Sequence, residues 1–155
     1  MKIGKLTDYG VLVLNHLART GVNLQSTEEI ATATGIPLPT ARKVMRTLVD
    51  AGLVLARRGA KGGYRLGRSP AQIPLLAIVE AFEGKLTLTE CSSTESDCEI
   101  TEQCSLAGNW VGINQVLGMV LAGISLNDIR HPAGLQRLAD SFKSSNEHIH
   151  LVSID

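Results

Sequence analysis

A mainly α fold carrying one small β-hairpin is predicted by three observations. Apolar residues recur at helical spacing along most of the chain. Two short runs, Leu53-Val54-Leu55-Ala56-Arg57 and Tyr64-Arg65-Leu66, flank a glycine-rich turn and read as paired strands. Glycine or proline stands at the predicted helix boundaries.

The elements follow in order. Thr7 is read as the cap of a first helix, with Asp8 in its first turn, where the positive end of the helix dipole favours a carboxylate. Val11, Leu14, Leu17 and Ala18 form its apolar face, and Gly21 ends it. Ser26-Thr27-Glu28-Glu29 is a capping box, in which Ser26 accepts from the Glu29 amide and Glu29 reaches back to the Ser26 amide. A short helix runs on through Thr34, and Gly35 supplies a turn. Pro39 suits the first position of a further helix because it has no amide proton to lose there. Ala41, Val44, Leu48 and Val49 turn one face of that helix to a core, leaving Arg42, Lys43 and Arg46 on the rest. After the hairpin, Pro74 opens a helix from Leu75 to Phe82 that Gly84 closes. Leu106, Trp110, Ile113, Leu117, Val120 and Ile124 then follow the alternating spacing of a coiled-coil seam, which predicts a dimerisation helix. A short helical piece ends near His131-Pro132, and little periodicity is left from Ser141 to Asp155. His148 and His150 in that tail are read as solvated.

A helix, a turn, a second helix with a cationic face and a basic hairpin form the arrangement of a winged helix-turn-helix. In that arrangement the second helix enters the major groove of double-stranded DNA and the wing reaches the flanking backbone. Thr40, Arg42, Lys43 and Arg46 are the candidate contacts from the helix, and Arg58, Lys61 and Arg65 those from the wing. A twofold protein reading a palindromic operator agrees with the coiled-coil seam. The alternative is a small α/β domain with an exposed charged helix.

Composition and charge narrow the classes. The 155 residues carry 15 Lys plus Arg against 15 Asp plus Glu and are 44% hydrophobic, which suits a folded domain rather than a disordered tail. The longest apolar runs fall far short of the roughly eighteen residues of a membrane span, and the start Met1-Lys2-Ile3-Gly4-Lys5 is not followed by the apolar core of a secretory signal. A soluble, cytoplasmic protein without membrane attachment is therefore expected. The neutral total hides segregation. Between Thr40 and Pro70 eight basic residues meet Asp50 alone, a local charge of +7, and between Glu80 and Glu102 seven acidic residues meet Lys85 alone, a local charge of −6. The basic stretch coincides with the second helix and the wing, whereas the acidic one reads equally as a solvated face. Only 3% of the residues are aromatic, which leaves no stacking platform for single-stranded nucleic acid.

Cys91, Cys98 and Cys104 lie within that acidic stretch or just beyond it. Their odd number and close clustering argue against a disulfide framework. Three thiolates are soft ligands and leave one tetrahedral position short, so an iron–sulfur cluster, zinc and plain redox thiols all stand as readings. The spacing lacks the paired C-x2-C of a zinc ribbon. An enzyme is not expected: the histidines are scattered, and no phosphate-binding glycine motif precedes a helix.

Leu6-Thr7-Asp8-Tyr9-Gly10, the wing Arg58-Gly59-Ala60-Lys61-Gly62-Gly63-Tyr64-Arg65-Leu66 and the three spaced cysteines together resemble the iron–sulfur-responsive winged-helix regulators typified by IscR and NsrR. The resemblance runs through about Ile129. Leu88-Thr89-Glu90-Cys91-Ser92, with Asn109-Trp110 and Ile113-Asn114, is most similar to the branch that regulates the SUF cluster-assembly operon. The resemblance implies a homodimeric transcription regulator, acting as a repressor of iron–sulfur cluster assembly genes. It implies one cluster per subunit on Cys91, Cys98 and Cys104, with 2Fe-2S placed ahead of 4Fe-4S. IscR-like members carry a histidine three residues after the third cysteine, where this chain has Ala107. The fourth ligand must then come from elsewhere, and Asp8 of the partner subunit matches the acidic position that NsrR-like relatives use; a carboxylate serving only the helix start is the alternative. A nitric-oxide-sensing repressor of the NsrR type is the runner-up, and a cluster carrier or scaffold the alternative from another class. The organisation expected is a winged domain over 1–84, a cysteine-containing loop over 85–105, the dimerisation helix with its following short helix over 106–130, and a C-terminal segment with room for flexibility over 131–155.

Overall fold

The computed structural model describes residues 3–89 and 104–149. Helix α1 (Lys5–Thr20) is followed by α2 (Thr27–Thr34), α3 (Leu38–Asp50), strands β1 (Val54–Arg57) and β2 (Gly63–Leu66), a 3-10 turn (Pro70–Gln72) and α4 (Leu75–Glu83). Helices α5 (Ala107–Gly123), α6 (Leu126–Arg130) and α7 (Pro132–Ile149) complete the order. The mainly helical chain with a two-stranded antiparallel hairpin is the fold class the sequence predicts.

Local signals place most boundaries. The Ser26 capping box is formed in full, with Glu29 N–H donating to Ser26 Oγ at 3.1 Å and Ser26 N–H to Glu29 Oε2 at 2.6 Å. Gly35 ends α2 in the left-handed conformation. Pro39 takes the second position of α3, because the helix already begins at Leu38. The reading of Thr7 as a cap is corrected: Gly4 precedes α1, and no side chain of its own segment caps it. Thr7 is buried, and its hydroxyl donates to Glu83 Oε1, while Gly4 N–H donates to the same oxygen at 2.8 Å. The start of α1 is thus satisfied by a carboxylate from the end of α4, a partner no local pattern reveals.

The core lies where α1, α2, α3 and α4 meet. Leu14, Leu17, Ile30, Met45, Leu48 and Ile78 are fully buried there. Gly10 allows α1 its close approach to α4, since a Cβ there would stand 2.4 Å from Phe82 Cε2. The hairpin register pairs Val54 with Leu66 and Arg57 with Gly63. A third segment joins it, for Gln25 and Tyr64 exchange two backbone hydrogen bonds of 3.0 and 2.8 Å.

Beyond α5 the chain returns to this core. Leu75 N–H donates to the Ile124 carbonyl at 2.7 Å and Leu126 N–H to the Ile73 carbonyl at 2.8 Å, so the end of α5 is bridged to the start of α4. Leu126 is wholly buried, and Arg130 Nε donates to Asn15 Oδ1 at 3.2 Å. The tail from Ser141 read as carrying little periodicity is, as far as residue 149, the end of helix α7 (Pro132–Ile149). His150 lies outside the described residues, as do Cys91 and Cys98.

Candidate nucleic-acid interface and cysteine segment

Helices α2 and α3 form the helix-turn-helix. Ala41, Val44, Met45 and Leu48 are buried, so the opposite side of α3 faces outward and presents Arg42, Lys43 and Arg46, all exposed, with Thr40 half-buried in the first turn. The structure therefore brings those three cations onto one face. They are not equally free. Arg42 Nη2 lies 3.3 Å from Glu28 Oε1 in the first turn of α2, and Arg46 Nε lies 4.0 Å from Asp50 Oδ2 one turn on. Among the described residues Lys43 makes no ion pair. Glu28 is a residue that sequence reasoning used only for its helix and missed as a partner of Arg42.

Between β1 and β2 the turn is built for glycine. A Cβ at Gly62 would stand 2.2 Å from the Arg57 carbonyl oxygen, and Gly62 N–H donates to the Gly59 carbonyl at 2.8 Å. The tight tip leaves Arg58 and Lys61 exposed at its end. Arg65 is exposed too, but it sits within β2 opposite Leu55, away from the tip. It lines a cleft of about 390 Å³ with Val22, Leu24, Leu55, Ala56 and Arg57. The seven candidate DNA contacts therefore fall into a helix group, a tip pair and one residue on the outer face of the hairpin.

Of the candidate ligands, Asp8 is exposed in the first turn of α1, and Cys104 is half-buried just ahead of α5. Among the described residues no three His, Cys, Asp or Glu side chains converge into a metal-binding group. Thiols and a carboxylate are donor types whose chemistry suits iron, and Asp8 is exposed, while Cys91 and Cys98 lie outside the described residues. Glu83, the last residue of α4, ties this region to α1. The Thr7 hydroxyl and then the Gly4 amide hold its carboxyl below the usual carboxylate range.

The segment that leads from α4 towards Cys91 runs against α5. Asn114 Nδ2 donates to the Leu86 carbonyl at 2.9 Å, and Leu88 N–H donates to Asn114 Oδ1 at 3.1 Å. Asn114 entered the sequence reading only as part of a resemblance; its polarity in a helix without a single charge was the available signal. Leu88 lines an open apolar groove of about 740 Å³ with Gly108, Asn109, Gly112, Ile113, Val116, Leu117 and Val120.

Helix α5 is apolar nearly all round, and α4 covers only one side of it. Of the predicted seam, Leu106, Trp110 and Ile113 are exposed, while Leu117, Val120 and Ile124 are half-buried. Val116 and Met119, outside that seam, are 56% and 66% exposed. A row of this kind is larger than scattered surface apolar residues and marks an interaction face. No helix among the described residues is long and apolar enough to cross a membrane.

Comparison with known proteins agrees with this geometry. Residues 3–132 match the family Rrf2, described as an iron-dependent transcriptional regulator. A relative named HTH-type transcriptional regulator NsrR, from Halalkalibacterium halodurans, is 33% identical over 110 residues, 70% of this chain and 75% of the relative. The structure of CymR, the global cysteine regulator of B. subtilis, superposes with a TM-score of 0.63 at 27% identity, covering 84% of this chain and 96% of that one. The structure of T. potens IscR superposes with a TM-score of 0.60 at 30% identity, covering 86% of this chain and 88% of that one.

Proposed function

The chain belongs to the Rrf2 family of transcriptional regulators, and from that premise we propose that it is a homodimeric repressor of iron–sulfur cluster assembly genes that senses cluster status through a cluster of its own. The observation that carries the reading is the joining of a cationic α3 face and basic wing to a three-cysteine segment flanked by α4 and the uncovered α5. Arg42, Lys43 and Arg46 contact the major groove, with Thr40 at the entry of the helix, and Arg58, Lys61 and Arg65 contact the backbone. The apolar face of α5 packs on a second copy, which sets two recognition helices at the spacing of a palindromic operator.

Cys91, Cys98 and Cys104 would hold the cluster, with Asp8 of the partner subunit as the fourth ligand. When bound, the cluster supplies a centre that iron shortage or oxidants can remove. Bound, the thiolates and the carboxylate would link the two subunits through the cluster, and its loss would remove that link and bias the balance between two presentations of the winged domains.

The test is the visible absorbance of anaerobically purified protein, with iron and sulfide counted per chain. Charge-transfer bands with matched iron and sulfide are expected, and Asp8→Ala should change them while leaving the dimer intact. A colourless protein that cannot be reconstituted overturns the cluster reading and leaves thiol chemistry or zinc. An unchanged spectrum in Asp8→Ala removes Asp8 from the ligand set. The similarity to NsrR supports a second reading, a nitric-oxide sensor. Comparing operator release under nitric oxide with release under iron starvation separates the two.

A further inference from the structure

We propose that Asn114 is a positioning residue: its side-chain amide holds the backbone strap Leu86–Leu88 against α5 and thereby sets where the chain enters the cysteine segment. The geometry is specific to an amide. Asn114 Oδ1 accepts from the Leu88 N–H at 3.1 Å and its Nδ2 donates to the Leu86 carbonyl at 2.9 Å. The Leu86 carbonyl and the Leu88 amide, two residues apart, present an acceptor and a donor to the same side chain, and a carboxamide offers the complementary pair at one stroke. A carboxylate supplies acceptors alone, and a hydroxyl cannot span both groups.

The strap has a third anchor, since Leu86 N–H donates to Glu80 Oε1 of α4 at 3.3 Å. Leu86 itself is buried, and Leu88 lines the open apolar groove together with Ile113 and Leu117. Three backbone groups of two residues, Leu86 and Leu88, are therefore held by side chains from two helices, directly after the turn at Gly84 that ends α4. Cys91 follows Leu88 by three residues, so the strap bounds the positions its thiol can reach. Because Asn114 stands in α5, the same contacts tie the cysteine segment to the helix whose other side is uncovered. The inference rests on the proposed function only for what the thiols hold; the placement of the strap stands without it.

The test uses the full chain. In Asn114→Asp the Leu88 amide keeps its acceptor, but a carboxylate oxygen faces the Leu86 carbonyl. Alkylation of the three thiols in the metal-free protein is followed peptide by peptide, with Cys104 as internal standard. The ratio of Cys91 to Cys104 rates is expected to rise about tenfold, the change that corresponds to losing one hydrogen bond of ordinary worth. Val54→Ala, a core substitution remote in sequence from the strap, should speed both thiols alike. An unchanged ratio in Asn114→Asp, or an equal shift in Val54→Ala, overturns the inference. Should Asn114→Asp fail to fold, Asn114→Ser is read in the same way, because it shortens the side chain without adding charge. Visible circular dichroism of reconstituted protein adds a second readout: Asn114→Asp should alter the bands of the wild type. If the wild type takes up no cluster, the sensing reading fails, and the alkylation ratio still decides the role of Asn114.

Discussion

Replacing Glu28 by glutamine should tighten DNA binding, although Glu28 itself touches no DNA in the proposed complex. In the free protein its carboxylate lies 3.3 Å from the Arg42 guanidinium, and the two side chains are 61% and 62% exposed. An arginine that is to meet a phosphate or a base edge must leave this pair. At such exposure the pair is worth roughly 0.2–1 kcal/mol, and a dimer breaks two of them, so removing it should raise affinity about 2- to 30-fold. Loss of the nearby negative charge adds to the gain at low salt and fades as ionic strength rises. Glu28 also lies in the first turn of α2, where the dipole favours it, and Glu28→Gln should lower folding stability by about 0.3–1 kcal/mol. The assay is fluorescence anisotropy with a labelled random duplex, run across a salt series for wild type, Glu28→Gln, Arg42→Ala and the double variant. Coupling between the two positions is the diagnostic result. If Glu28→Gln gains the same affinity with Arg42 absent, or none with Arg42 present, Arg42 is not a contact that Glu28 restrains.

Three further predictions follow from the same geometry. With three cations per subunit meeting phosphates, log affinity should fall against log salt with a slope of about −5 for the dimer, and a slope near zero would exclude groove binding; charge reversal at Arg46 should weaken binding in the same assay. Gly10→Ala would drive a methyl group to 2.4 and 2.6 Å from two Phe82 ring atoms; chemical denaturation should show a loss of about 1–3 kcal/mol, partly restored by Phe82→Leu, and unchanged stability would contradict the α1–α4 contact. Glu83 is held below the usual carboxylate range by Thr7 and Gly4, so its contribution to stability is present above the unfolded-state value and disappears as pH falls through the lowered folded-state value. Glu83→Gln retains an acceptor without the titration, and its unfolding midpoint should decline less between neutral and acid pH; parallel curves would remove Glu83 from the linkage.

What the sequence determined by itself is local. The capping box at Ser26, the turn at Gly35, the glycine-bound wing tip and the cationic face of α3 each depend on residues within a few positions of one another, and all are legible as written. The three cysteines and the family resemblance come from the same kind of short-range pattern. What the tertiary structure decided is long-range. Thr7 looked like a cap because hydroxyls favour that position, yet Glu83, 76 residues away, supplies the better acceptor once α4 is packed on α1. The seam of α5 was read as one stripe, but packing against α4 and the strap half-covers Leu117 and Ile124 and leaves Val116 and Met119 outside. Periodicity reports that a helix has an apolar face; it does not say how much of that face its own chain will cover. Asn114 shows the same division, since an asparagine in an uncharged helix signals a partner without naming it, and Asn109 and Gln115 of the same helix give the same signal. The partner is a pair of backbone groups 26 and 28 residues back, and only the closure of the chain onto α5 brings them within reach.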